Sequence, residues 1–321
     1  MTTSDEIQAL RHGCGLADIS DWTGRIEILG ADRLRFLNAY VTSDIKSLTP
    51  GDGVYGFLTS HQGRILSDLV VLALEDRLWL QVPAEQREPV IQHLQKYILA
   101  DRVEVRALED MQPFALIGPR AGEALGGPEL PAGGWKHARV RVRGTEVELQ
   151  RAGRFGAEAY TVWVSASIAK HLIDDFRQDP AVTPVSFEAL EILRAEAGIP
   201  RFGADFGPEN FPQETGAEDA VSYTKGCYLG QEIVARIHYR GGVQKILRGL
   251  LFDLFDGPAP APGTPVLHDG REAGKATTVV DSAALGRPIG LAILHKRVEA
   301  GTRVELEGGG TAEVKELPFG G

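Results

Sequence analysis

The order of apolar patterns along the chain is the feature that most constrains its fold. Within the first 185 residues one order occurs twice: a strand, a helix, further strands, a second helix and a closing strand. The first copy runs from "RIEIL" (25–29) to "RVEV" (102–105), and the second starts at "FALIG" (114–118). This order is typical of the split βαβ arrangement of a ferredoxin-like unit.

The pattern changes at about residue 242. Six short apolar segments follow, separated by turns rich in Gly, Pro and Asp such as "DGPAPAPG" (256–263), with no convincing helical period. Short, evenly spaced strands of this kind predict a small β-barrel. The sequence therefore predicts an α+β protein with three parts: a first ferredoxin-like unit (1–112), a second one (113–241) and a C-terminal antiparallel β-barrel (242–321).

Composition and charge exclude several classes of protein. The net charge of −10 argues against direct binding to nucleic acid, which needs clustered Lys and Arg. The longest apolar runs, such as "LVVLAL" (69–74), fall far short of the ~20 residues that span a bilayer, and the N-terminus lacks the pattern of a secretory signal. Two cysteines make no disulfide framework, so we expect a cytoplasmic protein. No His or Cys spacing predicts a metal site.

The segment "KGCYLGQE" (225–232) contains Cys227, one of the two cysteines. The pattern reads as a loop leading into a helix, so the thiol is expected near the helix N-terminus with Lys225 close by, where positive charge favours the thiolate. The alternative is a buried, unreactive thiol, which is a common fate of cysteine. We favour that alternative for Cys14, and residue patterns alone leave it open for Cys227.

"KGCYLGQE" resembles the signature of the YgfZ family, folate-binding proteins involved in iron–sulfur enzyme maintenance and similar to the glycine cleavage system T-protein, an aminomethyltransferase. Two further stretches resemble T-protein segments: "VYGFLTSHQGRILSDLVVL" (54–72) and "LEILRAEAGIPRFGAD" (190–205). The resemblance covers the chain from about residue 16 to its end. It implies two intertwined ferredoxin-like units and the barrel, arranged as three domains around a central cleft that binds tetrahydrofolate or a derivative.

The resemblance also implies roles for individual residues. Asp68 matches the acidic residue tied to aminomethyl transfer, and Tyr55 matches a tyrosine of the folate site. Arg194 matches an arginine that could meet the folate tail or the pterin ring; the alternative is an ion pair with an acidic neighbour on its own helix.

One aligned stretch departs from the T-protein pattern. In "RFGAEAYT" (154–161), Arg154 stands in place of a tyrosine, and Thr161 stands in place of the glutamate that accepts two hydrogen bonds from the pterin. A hydroxyl cannot replace a charged, bidentate acceptor. Either Glu158 takes over that role from a different place, or pterin recognition is weaker or differently oriented.

The cysteine segment and the resemblance together suggest two alternative functions. The first is a folate-binding accessory protein, not a classical enzyme, that supports assembly or repair of iron–sulfur clusters in client enzymes, including enzymes of tRNA methylthiolation. There Cys227 is the key thiol and Lys225 lowers its pKa. The second is a folate-dependent aminomethyltransferase or demethylase in which Asp68 acts near a folate nitrogen. The expected partners are a folate and iron–sulfur client or assembly proteins, without a membrane, and the chain is expected to be a monomer.

Overall fold

The computed structural model describes residues 2–127, 129, 133–253 and 259–319. Seven α-helices and seventeen β-strands are present in these residues. The helices are α1 (Thr3–His12), α2 (Arg33–Asn38), α3 (Arg87–Gln95), α4 (Ala121–Ala124), α5 (Ala166–Arg177), α6 (Phe187–Glu196) and α7 (Gln231–Tyr239). The strands are β1 (Gly15–Asp18), β2 (Thr23–Leu29), β3 (Gly53–Thr59), β4 (Ile65–Ala73), β5 (Arg77–Pro83), β6 (Glu104–Ala107), β7 (Met111–Ile117), β8 (His137–Val142), β9 (Thr145–Arg151), β10 (Ala159–Ser165), β11 (Thr183–Pro184), β12 (Lys245–Phe252), β13 (Pro265–His268), β14 (Arg271–Ser282), β15 (Arg287–His295), β16 (Arg303–Leu306) and β17 (Thr311–Lys315).

The first sheet has five antiparallel strands in the order β3-β4-β5-β2-β6. Apolar side chains of α2 and α3, among them Leu37, Val90 and Leu94, bury one face of it. The strand β3 is an addition to the predicted copy, because glycines interrupt its run "GVYGFLT" and weaken the alternating pattern. Its pairing with β4 supplies the hairpin on which the site is built.

The second sheet has six strands in the order β11-β1-β7-β10-β9-β8, with α5 packed on it. The sequence "RVRVRGTEVELQ" (139–150) predicts two strands joined by a turn at 143–145, and the structure confirms it: Arg143 and Gly144 have φ of 50° and 81°, the left-handed values that a two-residue hairpin requires. Because β1 leaves the N-terminal segment to pair with β7 and β11, the two units are intertwined.

The C-terminal strands form a closed six-stranded barrel in the order β12-β15-β14-β13-β16-β17. The predicted α+β class, the six C-terminal strands and the antiparallel barrel are therefore confirmed. Closure leaves the barrel without free edge strands, and its interior holds a separate apolar core.

The helix α6 lies between the second sheet and the barrel and contributes to the site. Ser186 precedes the apolar run "FEALEIL" (187–193) and so predicts a helix N-cap, which the structure confirms: the Ser186 side chain accepts a hydrogen bond from the Ala189 backbone N–H. It ends before Gly198, which adopts φ of 70°. No helix in the described residues is long and apolar enough to cross a membrane.

Candidate functional site

A cavity of about 350 Å³ opens where the first sheet, the second sheet and α6 meet. Its volume lies at the lower end of the ~300–1,000 Å³ that is usual for small-molecule sites. The four residues Tyr55, Asp68, Arg194 and Thr161, which the resemblance implies, all line it. Folding thus brings together side chains from distant parts of the sequence.

The β3–β4 hairpin places Tyr55 next to Asp68. In the observed register Tyr55 is opposite Val70 and Asp68 is opposite Phe57, so the two are diagonal neighbours. Side chains alternate between faces along a strand, and Asp68 therefore shares the cavity face with Val70. Diagonal pairs lie within reach of an aromatic side chain. The Tyr55 hydroxyl donates a 2.9 Å hydrogen bond to Asp68 Oδ2.

The second carboxylate oxygen, Asp68 Oδ1, is buried and has no hydrogen-bond partner among the described residues. Burial raises the pKa of Asp68 above its ordinary value, and the nearby Arg154 charge and the Tyr55 hydrogen bond oppose that rise. A buried polar atom without a partner costs about 1–3 kcal/mol. Such a cost is typical of a position where a ligand supplies the missing donor.

Aromatic rings and one arginine surround this pair. The Trp135 ring stacks on Tyr55 with centroids 5.8 Å apart and planes at 19°. The guanidinium carbon of Arg154 lies 4.3 Å from the centre of the Tyr55 ring, and Arg154 Nη2 donates to the Pro200 carbonyl. Burial raises the pKa of Tyr55 well above its ordinary value, so the phenol stays protonated and remains a donor to Asp68.

Arg194 also lines the cavity, but its guanidinium is committed to protein partners. Both carboxylate oxygens of Glu191 accept from it, at 2.7 and 2.6 Å. Asp205, whose side chain is fully buried, accepts at 2.7 Å. The ion-pair alternative is therefore present in the structure. Arg194 forms part of the cavity wall while its guanidinium binds Glu191 and Asp205. The predicted role in folate binding stays a prediction.

Thr161 and Glu158 are placed differently from each other. Thr161, on β10, is buried and lines the cavity. Glu158 is exposed, accepts a 2.7 Å hydrogen bond from the Tyr160 hydroxyl and is not part of the cavity lining. Glu158 therefore lies outside the cavity lining, and its predicted role in pterin recognition stays a prediction.

The loop that carries Cys227 (225–230) lies outside the cavity lining. Cys227 is exposed, whereas Cys14 is buried as expected. The helix α7 begins at Gln231, so the predicted loop leading into a helix is present, and Cys227 lies on that loop before the N-cap residue Gly230. Gly230 separates them in a left-handed turn (φ 82°), where a side chain would collide with the Ser60 carbonyl oxygen.

The Lys225 ammonium holds this loop against the chain that follows α2. Its Nζ donates to the backbone carbonyls of Asn38, Val41 and Ser43 at 2.7, 2.6 and 2.6 Å. Desolvation lowers the pKa of Lys225 to about 7, while the three carbonyls favour the charged form. Each of the three N–H donors of this ammonium thus has a backbone carbonyl as its partner, and the predicted effect of Lys225 on the thiol pKa stays a prediction.

The sequence analysis did not predict that Trp135 belongs to the site or that the Arg154 guanidinium contacts the Tyr55 ring. The sequence signal for Trp135 is its place after Gly133 and Gly134, a pair that marks a turn. In the structure Trp135 adopts φ of 62°, a value that a bulky residue takes only under constraint from its surroundings. Arg154 was visible only as a departure from a pattern, because its contacts depend on the loop that precedes β10.

Comparison with known proteins gives the same domain order. Residues 1–225 match the family described as the GCVT N-terminal domain. Residues 245–319 match the glycine cleavage T-protein C-terminal barrel domain. Two proteins named aminomethyltransferase are similar over 94% of this chain and 84% of their own length: one from Thermoanaerobacter pseudethanolicus (27% identity) and one from Halalkalibacterium halodurans (29%).

A solved structure has the same fold. The glycine cleavage system aminomethyltransferase T from Bartonella henselae superposes with a TM-score of 0.88 and 24% identity, over 99% of this chain and 89% of that one. The two intertwined units and the barrel of the present chain are therefore arranged around a central cleft with the same fold as the Bartonella henselae protein.

Proposed function

Because the chain belongs to the GCVT N-terminal domain family, we propose that it binds a reduced folate in the cavity around Asp68 and transfers a one-carbon unit to or from it. Two relatives named aminomethyltransferase support this reading over the accessory one. The observation that carries the proposal is the hydrogen bond between the buried Tyr55 and the half-buried Asp68, whose buried Oδ1 lacks a donor among the residues that the structure describes.

The residues present fit a folate. The cavity wall offers aromatic rings for a flat ring system, and Oδ1 offers an acceptor for an N–H group. The folate supplies the nitrogen that carries the one-carbon unit. Tyr55 fixes the carboxylate through Oδ2, so Oδ1 can orient an N–H or accept its proton. The raised pKa of Asp68 makes it a better general base than an exposed aspartate.

Two measurements test the proposal. Calorimetric titration with (6S)-tetrahydrofolate should show binding, and Asp68→Asn should weaken it about tenfold, since the ligand donor loses a charged acceptor. Transfer from an aminomethyl donor should fall by about a hundredfold or more in the same variant, because a general base contributes ~10²–10⁴. Asp76→Asn, at an exposed aspartate in the turn between β4 and β5, is the matched control. Unchanged binding and transfer in Asp68→Asn would refute the proposal.

We keep the iron–sulfur accessory role as a second candidate because Cys227 is exposed on a loop that Lys225 anchors. One thiol cannot fill the usual four-thiolate shell, and the described residues hold no group of three potential metal ligands. A partner must then supply the remaining ligands. In cells lacking the gene, wild type but not Cys227→Ala should restore an iron–sulfur-dependent tRNA methylthiolation at equal protein levels; equal rescue would remove the thiol from the mechanism.

A further inference from the structure

Arg154 presents unused hydrogen-bond donors at the end of the cavity where Asp68 lies. Its Nη2 donates to the Pro200 carbonyl, whereas neither Nε nor Nη1 donates to any residue that the structure describes. The guanidinium contacts the Tyr55 ring, and the hydroxyl of that ring binds Asp68. A ligand group that reaches the carboxylate therefore also comes close to this guanidinium.

The other two arginines of the cavity differ from Arg154 in their charge balance. Arg194 is paired with Glu191 and Asp205, and Arg201 is paired with Glu191. Across the described residues, Arg154 has no carboxylate within ion-pair distance. Both Arg154 and Asp68 line the cavity, and the charge of Arg154 acts on Asp68 by lowering the pKa of its carboxyl group.

A guanidinium has donors only, so the ligand must offer an acceptor. Among the one-carbon substituents of a reduced folate, a methyl group carries no acceptor and would desolvate the N–H groups without replacing their hydrogen bonds. A formyl group carries a carbonyl oxygen. A T-protein-like tyrosine at this position offers one hydroxyl and no charge, whereas Arg154 offers a planar, charged fork.

We propose that Arg154 is a specificity-determining residue that makes this cavity select a reduced folate bearing a formyl substituent over one bearing a methyl. The proposal rests on the proposed folate site and adds the class of folate that the site takes. The same donors could also meet a carboxylate of the folate tail, since both are oxygen acceptors, and the experiment separates these sources.

The test is calorimetric titration of the full chain with (6S)-5-formyltetrahydrofolate and (6S)-5-methyltetrahydrofolate. Wild type should bind the formyl compound about tenfold more tightly, as one charge-assisted hydrogen bond implies. Arg154→Gln should remove this preference by weakening only the formyl compound. Arg143→Gln is a matched control: Arg143 also stacks on an aromatic ring, Phe176 at 4.1 Å, and donates to a carbonyl outside the cavity, so it should keep the wild-type ratio.

Each other result has a definite meaning. Equal affinities in wild type overturn the selectivity, and an equal loss for both compounds in Arg154→Gln assigns the arginine to the folate tail. If neither compound binds, the proposed function itself fails, which is distinct from binding without preference. Should Arg154→Gln fail to fold, the same titrations are made with Arg154→Lys, which keeps the charge but not the planar fork of donors. A ratio of formyl to methyl affinity as high as that of wild type would then overturn the proposal.

Discussion

Replacing Asp205 by asparagine tests how the barrel is held against the wall of the cavity that Arg194 lines. Asp205 follows α6, and its side chain has no exposed surface. Its carboxylate accepts four hydrogen bonds: Oδ2 from Arg194 and the Arg201 backbone N–H, and Oδ1 from Thr277 and Thr278 of β14. One side chain thus joins the wall of the cavity to a strand of the barrel.

The magnitude follows from what remains after the change. An amide has one acceptor oxygen and one N–H₂ group, so the donors on one side of the new side chain would face another donor. Arg194 would keep its partner Glu191 but lose the opposite charge on its other edge. Breaking a buried, hydrogen-bonded ion pair typically costs about 3–5 kcal/mol. For a chain of 321 residues we expect a thermal midpoint lower by roughly 4–7 °C.

The assay is thermal unfolding followed by circular dichroism, with Asp269→Asn as control. Asp269 lies on the same barrel with a side chain that is 88% exposed, and its φ of 51° suits asparagine. Its variant should change the free energy of unfolding by no more than about 0.5 kcal/mol. If the two variants had the same thermal midpoint, the conclusion that the buried Asp205 carboxylate holds the barrel to the cavity wall would be refuted.

Three further predictions concern the two thiols, the Lys225 amine and the N-cap of α6. One thiol per chain should react with Ellman's reagent in the native protein and two after unfolding, because Cys227 is exposed while burial raises the pKa of Cys14 to about 11; two fast-reacting native thiols would contradict this placement. The folded-state pKa of Lys225, about 7, lies below its ordinary value of 10.5, so the folded chain binds fewer protons than the unfolded chain between these values. The free energy of unfolding should therefore rise with pH across that interval in urea titrations, and Lys225→Met should reduce the rise; an equal slope in both proteins would show that the amine is not desolvated. Ser186→Ala should lower the free energy of unfolding by about 1 kcal/mol through loss of the α6 cap, and a urea midpoint equal to that of wild type would count against the cap.

The sequence by itself predicted the kinds of most elements and their order, although it did not predict β3. Strand alternation, helical periods and turn residues are local, so the barrel strands, the cap at Ser186 and the turn at Arg143 could be read directly. The resemblance added Tyr55, Asp68 and Arg194, and all three line one cavity. The contact between Tyr55 and Asp68 follows from a hairpin register that local pattern does not specify.

Only the tertiary structure decided how the side chains are used. It paired Arg194 with Asp205, placed Glu158 outside the cavity and gave the Lys225 ammonium to three backbone carbonyls. Within the described residues it also left Asp68 Oδ1 and two nitrogens of Arg154 without protein partners. The physical reason is that hydrogen bonds and ion pairs depend on distances of a few ångströms between segments far apart in the chain, whereas sequence patterns report only which face of its own element a residue occupies.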